Sequence, residues 1–140
     1  MDRNANSVRI GEVYLMRFDG HGNEQSGWRP GLVFQNNKGN MHSPNIIALP
    51  LTSSIKKRNL PTHVFVSARD TGLKLDSIVL CENPERMSKD RIGAFIMKMP
   101  DKYMALIAKA NLLATSAISF LDKDTLLDIW QQASFLNATI

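Results

Sequence analysis

Apolar positions along the chain follow two regimes of spacing, and the change falls near residue 100. Before it, short apolar runs are separated by turn-forming residues. Arg9 to Phe18 opens on Gly11-Glu12 and alternates Val13 and Leu15 with Tyr14 and Met16, the period of two expected of a strand. Gly31 to Gln35 predicts a second strand, ending in the turn signal Asn36-Asn-Lys-Gly39. Asn45 to Leu51 predicts a third, and Pro50 inside it suits an edge or a bulge because proline brings no N–H to a ladder. His63 to Ser67 and Ser77 to Cys81 follow, parted by a turn around Gly72. Pro84 ends that stretch, Ser88 to Arg91 suits a single helical turn, and Ala94 to Met99 is the last strand. Five or six short strands with turns between them imply a small, strongly curved antiparallel barrel.

From Pro100 the period becomes helical. Tyr103, Leu106, Ile107, Ala110, Leu113, Ala114, Ala117 and Leu121 form one stripe suited to covering the barrel. Met104, Ala108, Leu112 and Phe120 lie off it, so a second apolar surface needs cover. Asp122-Lys-Asp124 interrupts the pattern, and Asp124 is placed to cap a further helix from Thr125 to about Leu136. The chain thus divides into one domain over residues 1–121, its first eight residues a flexible leader, and a helical tail over 122–140. The tail is expected to pack on the preceding helix, the same domain or a partner subunit.

Composition changes this picture little. One hundred and forty residues, 44% hydrophobic and 21% charged, suit one soluble domain. The single Cys81 cannot form an intrachain disulfide, which favours a reducing cytoplasm. Residues 1–7 are polar with no signal-peptide segment, and no apolar run is long enough for a membrane span. One cysteine and three scattered histidines lack metal-ligand spacing, and no Gly-rich nucleotide motif is present, so neither metal nor cofactor is expected. The net charge of +4 is uneven: residues 1–100 hold 14 Lys/Arg against 9 Asp/Glu, residues 101–140 hold 3 against 4. The basic excess belongs to the strand-rich part and is compatible with nucleic acid.

Candidate chemistry concentrates in Phe18-Asp-Gly-His-Gly-Asn-Glu-Gln-Ser-Gly-Trp-Arg-Pro30, a loop longer than an ordinary hairpin connection. Pro30 biases Arg29 toward extended backbone, fixing a guanidinium at the loop mouth beside Trp28. That pairing suits phosphate and base contact. Trp28 offers a stacking platform if exposed and is core if buried. Ser26 either hydrogen-bonds phosphate or steadies the turn. His21, flanked by glycines, is either a swinging proton carrier or a solvated side chain. Lys56-Lys57-Arg58 is either a solvated loop or a backbone contact.

Four ordered strings narrow the reading: Glu24-Gln-Ser-Gly-x-Arg29-Pro30, Val33-Phe-Gln-Asn-Asn-Lys-Gly-Asn40, Leu51-Thr52-Ser53 and Leu60-Pro-Thr-His-Val64. Together they resemble the MazF/PemK family of toxin endoribonucleases, in its Gram-positive-like branch, over about residues 9–121. The resemblance implies a mainly β fold with C-terminal helices, the SH3-like barrel of MazF, PemK and CcdB, in a homodimer. It implies metal-independent cleavage of single-stranded RNA by 2′-hydroxyl attack, leaving 2′,3′-cyclic phosphate and 5′-hydroxyl ends. Arg29 and Thr52 match its catalytic pair. An arginine rarely gives up its proton, so Arg29 suits charge stabilisation better than base catalysis; His63 and His21 are the candidate proton carriers. Gln25, Ser26, Trp28, Ser53, Lys56, Lys57, Arg58 and Asn83 are the expected RNA contacts. Asn83 stands where the branch usually has glutamine, which bears on base choice. Partners implied are messenger RNA, an antitoxin whose acidic segment occupies the groove, and operator DNA only through that antitoxin; no membrane is involved. Competing readings are a gyrase poison of the CcdB type, disfavoured by the ending Asn137-Ala-Thr-Ile140, and a non-catalytic binding module acting as corepressor.

Overall fold

The computed structural model describes residues 8–19, 27–54 and 60–138. Seven strands form one antiparallel sheet: β1 (Glu12–Phe18), β2 (Gly27–Val33), β3 (Asn45–Thr52), β4 (His63–Val66), β5 (Ser77–Leu80), β6 (Glu85–Ser88) and β7 (Ile92–Lys98). Their order is β4-β5-β3-β2-β1-β7, with β6 pairing β3. The ladder does not close into a ring, since β4 and β7 end it without meeting. The expected barrel is therefore an open, mainly β sheet carrying C-terminal helices.

The period of two holds in β1. Val13 joins one core with Leu32, Leu49, Leu51, Val66 and Val79, while Tyr14, Met16 and Phe18 join a second with Val33, Ile46 and Met87. Val8 also enters this second core and is 3% exposed, which corrects its assignment to a flexible leader: an apolar side chain with a place in the core stays there.

β2 starts four residues earlier than expected. Gly27-Trp-Arg-Pro30 continues the ladder, with Arg29 opposite Met16 and Gly27 opposite Phe18, so Arg29 stands on a strand and not at a loop mouth. Pro50 is not at an edge. β3 pairs β6 through Asn45–Ala48 and β5 through Leu51–Thr52, and Pro50 falls at the change of partner, where a missing N–H costs least.

Asn36-Asn-Lys-Gly39 is not a turn but the start of α1 (Asn37–His42), with the Asn36 side chain accepting the Gly39 N–H. The turn before Gly72 is likewise a short helix, α2 (Ala68–Thr71), ended by Gly72 at φ +80°. β6 follows Pro84, where no strand was expected.

α3 (Asp101–Ala114) lies against β4 and buries Tyr103, Ile107 and Ala110, three members of the predicted stripe. It stops short of Leu121, and a 3-10 turn takes Ala117–Phe120. α4 (Lys123–Ala138) is capped not by Asp124 but by Asp122, whose carboxylate accepts the Thr125 N–H at 2.8 Å. Near its end, Asn137 Oδ1 accepts the Asn37 N–H at 2.9 Å and Lys38 sits 5.9 Å from the Phe135 ring centre, joining α4 to α1. Among the described residues no helix is long and apolar enough to cross a membrane.

Candidate functional site

β2 and β3 pair Gly31 with Pro50 and Leu32 with Leu49. Continuing that register by two residues sets Arg29 opposite Thr52, on one face by the alternation of side chains. The bonded ladder stops before them, and both residues line a groove of about 540 Å³. Its walls come from β1 (Leu15), β7 (Ala94, Ile96) and the stretch Gly72–Leu75, and Ser53, Ser54 and Lys74 add polar atoms. The loop reading brought Arg29 to notice and the family resemblance brought Thr52 and Ser53; the far wall went unseen because register, not chain order, supplies it.

Arg29 rests on Phe18, its guanidinium carbon 5.0 Å from the ring centre. This cation–π contact holds the charge over a buried aromatic. Gly31 makes room for it: a Cβ there would lie 2.6 Å from Met16 Sδ and 2.9 Å from Phe18 Cζ. Arg29 Nε is buried without a hydrogen-bond partner among the described residues. Arg29 itself lines the groove, where a guanidinium suits an anion. Thr52 Oγ1 accepts the Ser54 N–H at 3.1 Å, which leaves its own proton to donate into the groove.

Trp28 is 53% exposed, and its ring lies over Gly93, where a Cβ would meet Trp28 Cζ3 at 3.1 Å. Of its two readings, the exposed ring holds. His63 Nε2 lies 2.9 Å from Glu82 Oε2, while Nδ1 is buried and unpartnered among the described residues. Neither ring nitrogen is thus offered to the groove. Asn83 lines neither this groove nor the smaller cavity beside it; Glu82, passed over in the sequence, lines the latter. His21, Gln25, Ser26, Lys56, Lys57 and Arg58 lie outside the described residues. Asp19, paired with Arg91, and Gly27, at φ +104°, stand on either side of residues 20–26. Burial pushes the Cys81 thiol up to about 12, so it contributes no nucleophile. Among the described residues, no group of three or more His, Cys, Asp or Glu is placed to hold a metal ion.

Residues 9–113 match the family model for PemK-like, MazF-like toxins of type II toxin–antitoxin systems. Over 114 residues, 81% of this chain and 98% of the relative, the sequence is 36% identical to endoribonuclease EndoA of Bacillus subtilis. Over 104 residues, 74% and 87%, it is 35% identical to endoribonuclease MazF of Staphylococcus saprophyticus. A solved mycobacterial endoribonuclease in complex with its cognate antitoxin is 25% identical, with a TM-score of 0.63 covering 83% of this chain and 99% of that one. The chain therefore belongs to the PemK-like, MazF-like toxins of type II toxin–antitoxin systems, a family whose curated relatives here are endoribonucleases.

Proposed function

We propose that the chain is a sequence-selective endoribonuclease that cuts single-stranded RNA, messenger RNA included, by attack of the substrate's own 2′-hydroxyl. The products are a 2′,3′-cyclic phosphate and a 5′-hydroxyl. The observation that carries this reading is the convergence of Arg29 and Thr52 on one groove. In that reaction the 2′-hydroxyl gives up its proton to water, negative charge grows on the phosphoryl oxygens as the new P–O bond forms, and the departing 5′-oxygen takes up a proton from water. Arg29, at the groove wall, neutralises that charge, and the Thr52 hydroxyl donates a second hydrogen bond. The guanidinium supplies the positive charge that other nucleases take from a metal ion. Trp28 stacks on an unpaired base beside the cut, which suits a single strand whose bases are splayed.

The protein acts as a homodimer, restrained by an antitoxin whose acidic segment takes the place of RNA over Arg29 and Lys74; operator DNA is reached only through that antitoxin. The family match and the relative solved with its antitoxin support the pairing with an antitoxin. Incubation with mixed RNA in EDTA, followed by mapping of ends, tests the chemistry. Cutting with cyclic phosphate ends is expected; no cutting, or cutting lost to the chelator, counts against it. Arg29→Lys is expected to lose about 100-fold or more in rate, because a point charge replaces the planar fork. Full activity in that variant would refute the assignment.

A further inference from the structure

The groove does not end at Thr52. A second cavity of about 240 Å³ shares Thr52 and Ser54 with it and is closed by Leu60, Ile78 and Leu80 and by the His63–Glu82 pair. The pair is built by register: His63 stands opposite Leu80 across β4 and β5, two residues before Glu82. The imidazole Nε2 engages Glu82 Oε2 at 2.9 Å, and its shielded Nδ1 faces no partner among the described residues. His63 therefore holds a carboxylate in place, and Glu82, with Oε2 engaged by His63, lines the cavity.

We infer that this cavity reads the nucleobase next to the scissile phosphate, with Glu82 as the acceptor, His63 as its positioning residue and the aliphatic side chains against the faces of the base. The inference rests on the ribonuclease reading above and names the specificity of the same site. A carboxylate oxygen selects a base that offers an exocyclic amino group, adenine or cytosine. Uracil presents its N3–H between two carbonyl oxygens, which a carboxylate repels. Guanine is best held through N1–H and N2–H by both oxygens of one carboxylate, and here Oε2 is committed to His63.

A randomised single-stranded RNA pool cut by the wild type, by Glu82→Gln and by His63→Gln, with ends sequenced, tests this. In the wild type, one position flanking the cut should favour adenine or cytosine over uracil. Glu82→Gln should lower that preference about ten-fold, leaving the other positions as they were, and His63→Gln should lower it less. A wild-type profile with uracil or guanine favoured at every flanking position would overturn the inference, as would an unchanged profile in Glu82→Gln. Equal loss of cutting at all sequences in Glu82→Gln would also overturn it, because the carboxylate would then serve the chemistry. If the wild type cuts no RNA, the ribonuclease reading fails, and binding of 2′-deoxy oligomers differing in one base decides the pocket. An amino-base preference that Glu82→Gln removes would uphold it; equal affinities in both proteins would overturn it.

Discussion

Arg29 owes its place to two residues that do not themselves line the groove. Phe18 lies beneath the guanidinium, and Gly31 leaves the space that Phe18 and Met16 fill. Phe18→Leu keeps most of the apolar volume of the second core and removes the ring face. A cation–π contact of about 1 kcal/mol is then lost, so the rate constant for RNA cleavage should fall roughly five-fold. Melting temperature should fall by no more than a few degrees, since a swap of this kind costs under about 1.5 kcal/mol. An unchanged rate would mean that Arg29 is held by something other than Phe18. At this scale the sequence was informative where chemistry lies along the chain: Arg29 and Thr52 stand in ordered strings, and Trp28 beside Arg29. It was silent on Glu82, whose partner His63 is nineteen positions away and arrives only through pairing of β4 with β5. Asn83 drew notice in its place because a family string, not geometry, pointed to it.

Among the elements, α2 and α3 are joined by a polar knot. Tyr103 donates to Asp70 at 2.6 Å, and Lys102 pairs with the same carboxylate oxygen at 3.0 Å. The Tyr103 hydroxyl, then Lys102 and Ser67, hold the Asp70 carboxyl at about 2, below its ordinary 3.8. A depressed carboxylate stabilises the fold while it is charged, so its contribution is full above about pH 4 and is lost as pH falls through about 2. Asp70→Asn should therefore melt below the wild type at neutral pH, and the gap should close between pH 4 and pH 2. A gap that persists at pH 2 would trace the loss to packing and not to charge. The elements that went unread share one feature, that tertiary contact decides them. α1 has the composition of a turn, and becomes helical because Asn36 caps it and Asn37 Oδ1 takes the Ile10 N–H at 2.8 Å. β6 is a polar tetrapeptide that is a strand only because Asn45–Ala48 of β3 offers it an edge. The strongly periodic segments, β1 and the first half of α3, were legible because burial acts on every second or every third and fourth residue there.

Across the whole molecule, the groove and the tail lie on separate parts of the chain. Every described residue of the groove comes from residues 15–96, whereas α4 reaches the domain through the last turn that touches α1. Its side chains Leu127, Trp130 and Phe135 stay exposed in the single chain, Trp130 at 75%. The family match ends at residue 113, so the tail lies beyond the matched unit, which holds every described residue of the groove. Among the described residues one hydrogen bond and one cation–π contact tie α4 to α1, so removing residues 122–140 should cost at least about 1–2 kcal/mol. A drop of a few degrees in melting temperature is expected, with the rate of RNA cleavage per chain held within about two-fold, since no atom that faces the phosphate moves. A loss of ten-fold or more with the melting temperature preserved would instead place the tail on the path of the RNA. Because Asn137 caps α1 from outside, Asn137→Ala should reproduce part of the thermal loss and none of any loss in cutting, which separates a clasp from a contact with substrate.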